Sequence, residues 1–116
     1  MNIAITQKFK ILEKNGFKKK VHIRNGDTEI YYTKNNFTVE IHYYLSTTMQ
    51  YCLEVILDNN SKRANIFNCD FFNKAEINLL RSKIDSIEKK DSLQQELNVY
   101  VEFIEKHIGD LCDFIL

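Results

Sequence analysis

Between Phe17 and Cys69 the chain falls into short runs of alternating apolar and polar residues, and polar turns rich in asparagine cut most of those runs apart. Alternation of period 2 sends successive side chains to opposite faces of a strand. Val21 and Ile23 share one face, and Lys20, His22 and Arg24 the other. Asn25-Gly26-Asp27 is a strong hairpin signal, because the tightest hairpin turns need residues that accept positive φ. The return strand covers Thr28 to Lys34, and Asn35-Asn36 turns the chain again. Phe37, Val39, Ile41 and Tyr43 then alternate with Thr38, Glu40, His42 and Tyr44. After a loop at Ser46-Thr47-Thr48, Tyr51, Leu53, Val55 and Leu57 alternate with Cys52, Glu54, Ile56 and Asp58. A loop at Asp58 to Ser61 leads to a fifth, weaker strand over about Arg63 to Cys69. Successive hairpins of this kind make an antiparallel meander, which needs cover on only one face.

The cover comes from segments of helical period. Ile5, Phe9 and Leu12 repeat at i, i+4, i+7, predicting a short helix near residues 4–15, with Thr6 as its N-cap and Asn15-Gly16 as its stop. Beyond Cys69 the period changes to 3.6. Asn73 followed by Glu76 has the capping-box spacing, and Ile77, Leu80, Ile84 and Ile87 form one stripe. Lys89-Lys90-Asp91-Ser92 breaks it, with Asp91 or Ser92 capping a last helix. That helix carries Leu93, Leu97, Tyr100, Ile104, Ile108, Leu111 and Ile115 nearly to the C-terminus. One helix, five strands and two helices predict an α+β fold, a helical hairpin packed on one face of the sheet. The 116 residues fit a single domain, and without proline and with only three glycines the chain has no linker composition.

Charge and cysteine usage narrow the function classes. Net charge is zero, which argues against nucleic acid as the partner, since phosphate neutralisation demands a basic excess. The charge is nevertheless polarised. Residues 1–34 hold eight Lys and Arg against three acids, and residues 91–116 hold one Lys against six acids. The poles either attract each other, stay solvated, or meet a partner of opposite sign. Cys52, Cys69 and Cys112 are odd in number and none lies in a C-x-x-C pair, so neither a disulfide framework nor a zinc knuckle is indicated. Free thiols suit a reducing cytoplasm. The segment MNIAITQKFK has no apolar signal core, and no run approaches a membrane span.

A search for catalytic chemistry finds little. His22 and His42 occupy outward strand positions, with Glu40 on the face of His42, but no closely spaced ligand pair joins them as zinc would require. Cys52 and Cys112 read as small core residues, and Cys69, at a strand end, is the best thiol of the three. Glycines at 16, 26 and 109 only cannot build a phosphate loop. The expectation is a protein that is not an enzyme and needs no cofactor or metal.

Two surfaces are candidates for partner binding. On the last helix, Asp91, Asn98, Glu102, Glu105 and Asp113 form a narrow acidic wedge opposite a wide apolar arc. On the sheet, Tyr31-Tyr32 and Tyr43-Tyr44 each put one ring on the outward face. If Ile30, Tyr32, Val39, Ile41 and Tyr43 face in, Tyr31 and Tyr44 face out beside His22, His42, Lys20 and Arg24. Exposed Tyr with Arg is the composition of binding hot spots. The same rings would also serve as cross-strand pairs that steady the sheet, and Glu29, Glu40 and Glu54 on that face would repel phosphate.

The opening LEKNGFKKK, the meander NGDTEIYYTKNNFTVEIHYY and the closing ELNVYVEFIEKHIGDL resemble the small bacterial immunity proteins that neutralise polymorphic or contact-dependent toxins. The resemblance is one of overall style along the whole chain and includes no diagnostic motif. It implies a cytoplasmic monomer or homodimer that binds one toxin domain tightly, blocking its active site or an essential exosite. An acidic wedge would suit a basic nuclease toxin. Other readings are a phage-encoded inhibitor of a host defence complex, a small-ligand domain or enzyme with a pocket between sheet and helices, and an oligomer using Val99, Phe103 and Phe114.

Overall fold

The computed structural model describes residues 2–45, 51–87 and 92–109. Two short helices, α1 (Asn2–Lys8) and α2 (Lys10–Lys14), come first. Strands β1 (Lys18–Arg24), β2 (Asp27–Lys34), β3 (Phe37–Leu45), β4 (Tyr51–Asp58) and β5 (Arg63–Asn65) follow. A 3-10 turn at Ile66–Asn68 leads to helices α3 (Lys74–Asp85) and α4 (Ser92–Lys106). The strands form one antiparallel sheet in chain order, β1-β2-β3-β4-β5. Its turns take the backbone their residues predict: Asn25 and Gly26 have φ of 50° and 87°, and Asn35 has φ of 54°.

The inward rows carry the core. Ile30, Ile41 and Val55 stand opposite one another across β2, β3 and β4, and Tyr32, Val39 and Leu57 form the next row. All six are fully buried. Ile5 and Leu12 from the first two helices, Phe9 between those helices, Ile77 and Leu80 from α3, and Leu97, Tyr100 and Ile104 from α4 close on them in one cluster. Each such side chain contributes about 1.5–3 kcal/mol by leaving water. The outward rows contribute no residue to that cluster. The α+β architecture is therefore as the sequence predicts, helices on one side of the sheet.

Four local expectations need correction. The N-terminal helix is two helices, because Phe9, at φ −94° and ψ 18°, leaves helical geometry to fit its ring into the core against Tyr32. Thr6 is not the N-cap. It lies inside α1, and its hydroxyl donates to the Ile3 carbonyl at 3.1 Å. The fifth strand stops at Asn65, whose side chain accepts from the Phe67 N–H and starts the 3-10 turn instead. Asn73 does cap α3, accepting from the Ala75 N–H at 2.7 Å, but Glu76 reaches Lys106 of α4 rather than returning to complete a box. The expected caps of the last helix, Asp91 or Ser92, and the end of its stripe at Leu111 and Ile115 lie outside the described side chains.

Candidate functional site

The outward face of the sheet is where the polar side chains are organised most closely. Its centre is Glu40 on β3, only 4% exposed although it sits on the polar side. A carboxylate so enclosed costs several kcal/mol in lost hydration unless partners replace the water. Arg63, from β5, supplies two of them: Nε donates to Oε2 and Nη2 to Oε1, both at 2.9 Å. This is the bidentate fork that suits a guanidinium to a carboxylate. His42 Nε2 lies 3.0 Å from the same Oε1. Burial pushes the Glu40 carboxyl up, but the bonds from Arg63 and His42 outweigh it and hold the group below the usual glutamate range.

The network continues toward β1. His42 Nδ1 is 3.7 Å from Glu29 Oε2, and the Tyr31 hydroxyl donates to Glu29 Oε1 at 2.9 Å. The Tyr31 ring stands edge-on between His22 and His42, at 5.6 and 6.0 Å between centroids. On the other side the Tyr44 hydroxyl donates to Glu54 Oε1 at 3.2 Å. Both phenols are pushed up to about 12, by burial first and then by the neighbouring glutamate. The register explains the assembly: His22, Glu29, His42 and Glu54 form one continuous row across β1 to β4, and Lys20, Tyr31, Glu40 and Ile56 form the next. Among the described residues no group of three or more His, Cys, Asp or Glu is placed to hold a metal ion.

Tyr31 and His42 thus meet in a half-buried surface, and Tyr44 shares the face further along β3 with Glu54 as its partner. Arg63 is the residue that sequence reading missed. It stands 23 residues from Glu40, and a three-residue strand carries no periodicity to place it.

The acidic wedge is less concentrated than its spacing predicts. Asn98, Glu102 and Glu105 are exposed on α4, while Asp91 and Asp113 lie outside the described residues. Glu102 borders a groove of about 180 Å³ between α3 and α4 whose rim also carries Lys83 and Lys106. The described wedge is therefore edged with cations. The apolar flank proposed for self-association also changes. Phe103 is 8% exposed and packs edge-on against Phe72 at 5.0 Å, so it is core. Phe114 lies outside the described residues.

Neither described thiol is placed as a nucleophile, and Cys112, expected as core, lies outside the described residues. Cys52, expected as core, is a partly exposed residue of the outward face opposite Tyr44. An alternating strand has two faces, and an apolar neighbour in sequence lies on the other one. Cys69 donates to the Ile66 carbonyl at 3.2 Å, and burial pushes its thiol up, away from the thiolate that reactivity needs. It lines a groove of about 460 Å³ with Phe67, Phe72, Lys74, Ile77 and Arg81.

Among the described residues no helix is long and apolar enough to cross a membrane. Comparison with family models, with curated proteins and with solved structures returned no match, so the site is read from its own chemistry.

Proposed function

We propose that this chain is a non-enzymatic protein-binding module, and that it neutralises a cognate bacterial toxin by direct binding through the outward face of its sheet. The observation that carries this reading is the Tyr31–Glu29–His42–Glu40–Arg63 network on the polar side of the sheet. Association must offset the entropy of ordering interface side chains, at about 0.5–1.5 kcal/mol for each flexible one. Here the tyrosines, His42 and the arginine are already held by hydrogen bonds and ring contacts. Tyr and Arg are the residue types that dominate binding energy at interfaces.

The experiment is a tagged pull-down from the native organism, with mass spectrometry of the captured protein and titration calorimetry of the pair. A toxin-like protein should be captured, and Tyr31→Ala with Tyr44→Ala should weaken its binding at least tenfold. Glu102→Lys with Glu105→Lys should leave it within twofold. The reverse pattern moves the interface to α4. A preparation that captures no protein removes the binding reading.

A further inference from the structure

Strand β1 is an edge strand: β2 pairs with one side of it, and among the described residues no strand pairs with the other. An edge of seven residues offers a row of backbone N–H and C=O groups to any added strand. The side chains along this edge are sorted by face. Lys18, Lys20, His22 and Arg24 lie in the outward rows, in register with Thr33, Tyr31, Glu29 and Asp27 of β2. Lys19, Val21 and Ile23 lie in the inward rows, and Ile23 is 61% exposed. Lys19 is held near Glu13 at 3.8 Å, but no salt bridge joins Lys18, Lys20 or Arg24 to an acid among the described residues.

We infer that the β1 edge accepts an extended segment of a partner protein whose side chains alternate acidic and apolar. Such a strand would complete the backbone ladder. Its acidic side chains would stand beside Lys18, Lys20, His22 and Arg24 on the outward face as opposite-charge cross-strand pairs. Its apolar side chains would extend the inward face past Val21 and cover Ile23. A second copy of this chain does not fit. Pairing β1 with β1 sets its outward cations against one another, which is destabilising. Lysines along an edge also guard against unspecific strand addition. Guarding alone does not account for the exposed Ile23 between Lys20 and Arg24.

This inference deepens the protein-binding reading and rests on it, because it names the chemistry of one partner segment. The test uses the intact protein and a fluorescent peptide, Glu-Val-Glu-Ile-Glu-Val-Glu, followed by anisotropy. Saturable binding is expected, weakened at least tenfold by Lys20→Glu with Arg24→Glu, and lost when alternate peptide amides are N-methylated. Hydrogen exchange at β1 amides should slow in the complex. Equal affinity for a peptide of the same composition with its four glutamates contiguous would show charge attraction without strand pairing, and would overturn the inference. So would no binding, or binding indifferent to N-methylation. Failure here leaves the whole-partner titration with the Tyr31 and Tyr44 variants untouched, so the two readings fail separately.

Discussion

Arg63, on the shortest strand of the sheet, reaches across β4 to hold both carboxylate oxygens of Glu40 on β3. The pair ties the edge of the sheet to its middle. Its two ends differ in environment, since the Arg63 side chain is 54% exposed and that of Glu40 only 6%. The energetic weight therefore falls on the acid. Arg63→Ala leaves a nearly buried carboxylate with His42 as its remaining side-chain partner. We expect a loss of about 1–3 kcal/mol in urea unfolding, the range for hydrogen bonds to a charged group, toward its lower end because solvent screens the exposed arginine. Adding Glu40→Gln should recover part of that loss. A double variant as weak as the sum of the singles would show that the two residues are not coupled.

The same carboxyl sets an acid limit. Its folded pKa lies below the ordinary glutamate value of 4.5. A depressed acid stabilises the fold above its unfolded pKa, and that contribution fades as pH falls through the folded one. Stability should be level in this respect above about 4.5 and decline below it. Glu40→Gln should flatten the decline in unfolding curves taken across that range.

Tyr31 and Tyr44 set an alkaline limit with the opposite sign. Their phenols hold the proton until about 12, against 10.0 for a free tyrosine. A raised folded pKa stabilises fully below the unfolded value and is lost as pH rises through the folded one. Burial also pushes up the phenols of Tyr32 and Tyr100, so tyrosinate absorbance should show at least four phenols missing near pH 11, Tyr31 and Tyr44 among them, with stability falling over the same interval. Tyr31→Phe and Tyr44→Phe should each remove one delayed phenol.

Core and edge isoleucines should separate cleanly. Ile41 is fully buried in the central strand, and Ile41→Ala should cost about 2–5 kcal/mol through lost transfer energy and the cavity left behind. Ile23, on β1, is 61% exposed, and Ile23→Ser should change stability by less than about 0.5 kcal/mol. Thermal melts of both variants decide it. A large loss at Ile23 would mean that the edge already has cover.

What the sequence made legible was everything set by neighbours a few residues apart. Alternation placed Tyr31 and Tyr44 outward, and asparagine-rich turns marked where β1, β2 and β4 end. Local pattern could not see demands made from a distance. Phe9 keeps the helical spacing of Ile5 and Leu12 yet breaks the helix, because its ring must meet Tyr32 on the sheet. Glu76 has capping-box spacing, but Lys106, 30 residues away, offers it a charged partner. The organising pair of the candidate site was hidden for the same reason, since strand addition alone brings Arg63 near Glu40.

The order of the strands also bears on how the protein is made. Each strand pairs with the one synthesised just before it, so every pairing closes a short loop and can form as the chain leaves the ribosome. The helix that brings Leu97, Tyr100 and Ile104 to the core comes after all five strands. A nascent chain therefore carries a paired sheet whose apolar side has only the earlier helices as cover and stays partly open to water until α4 emerges. In that interval aggregation competes with correct closure.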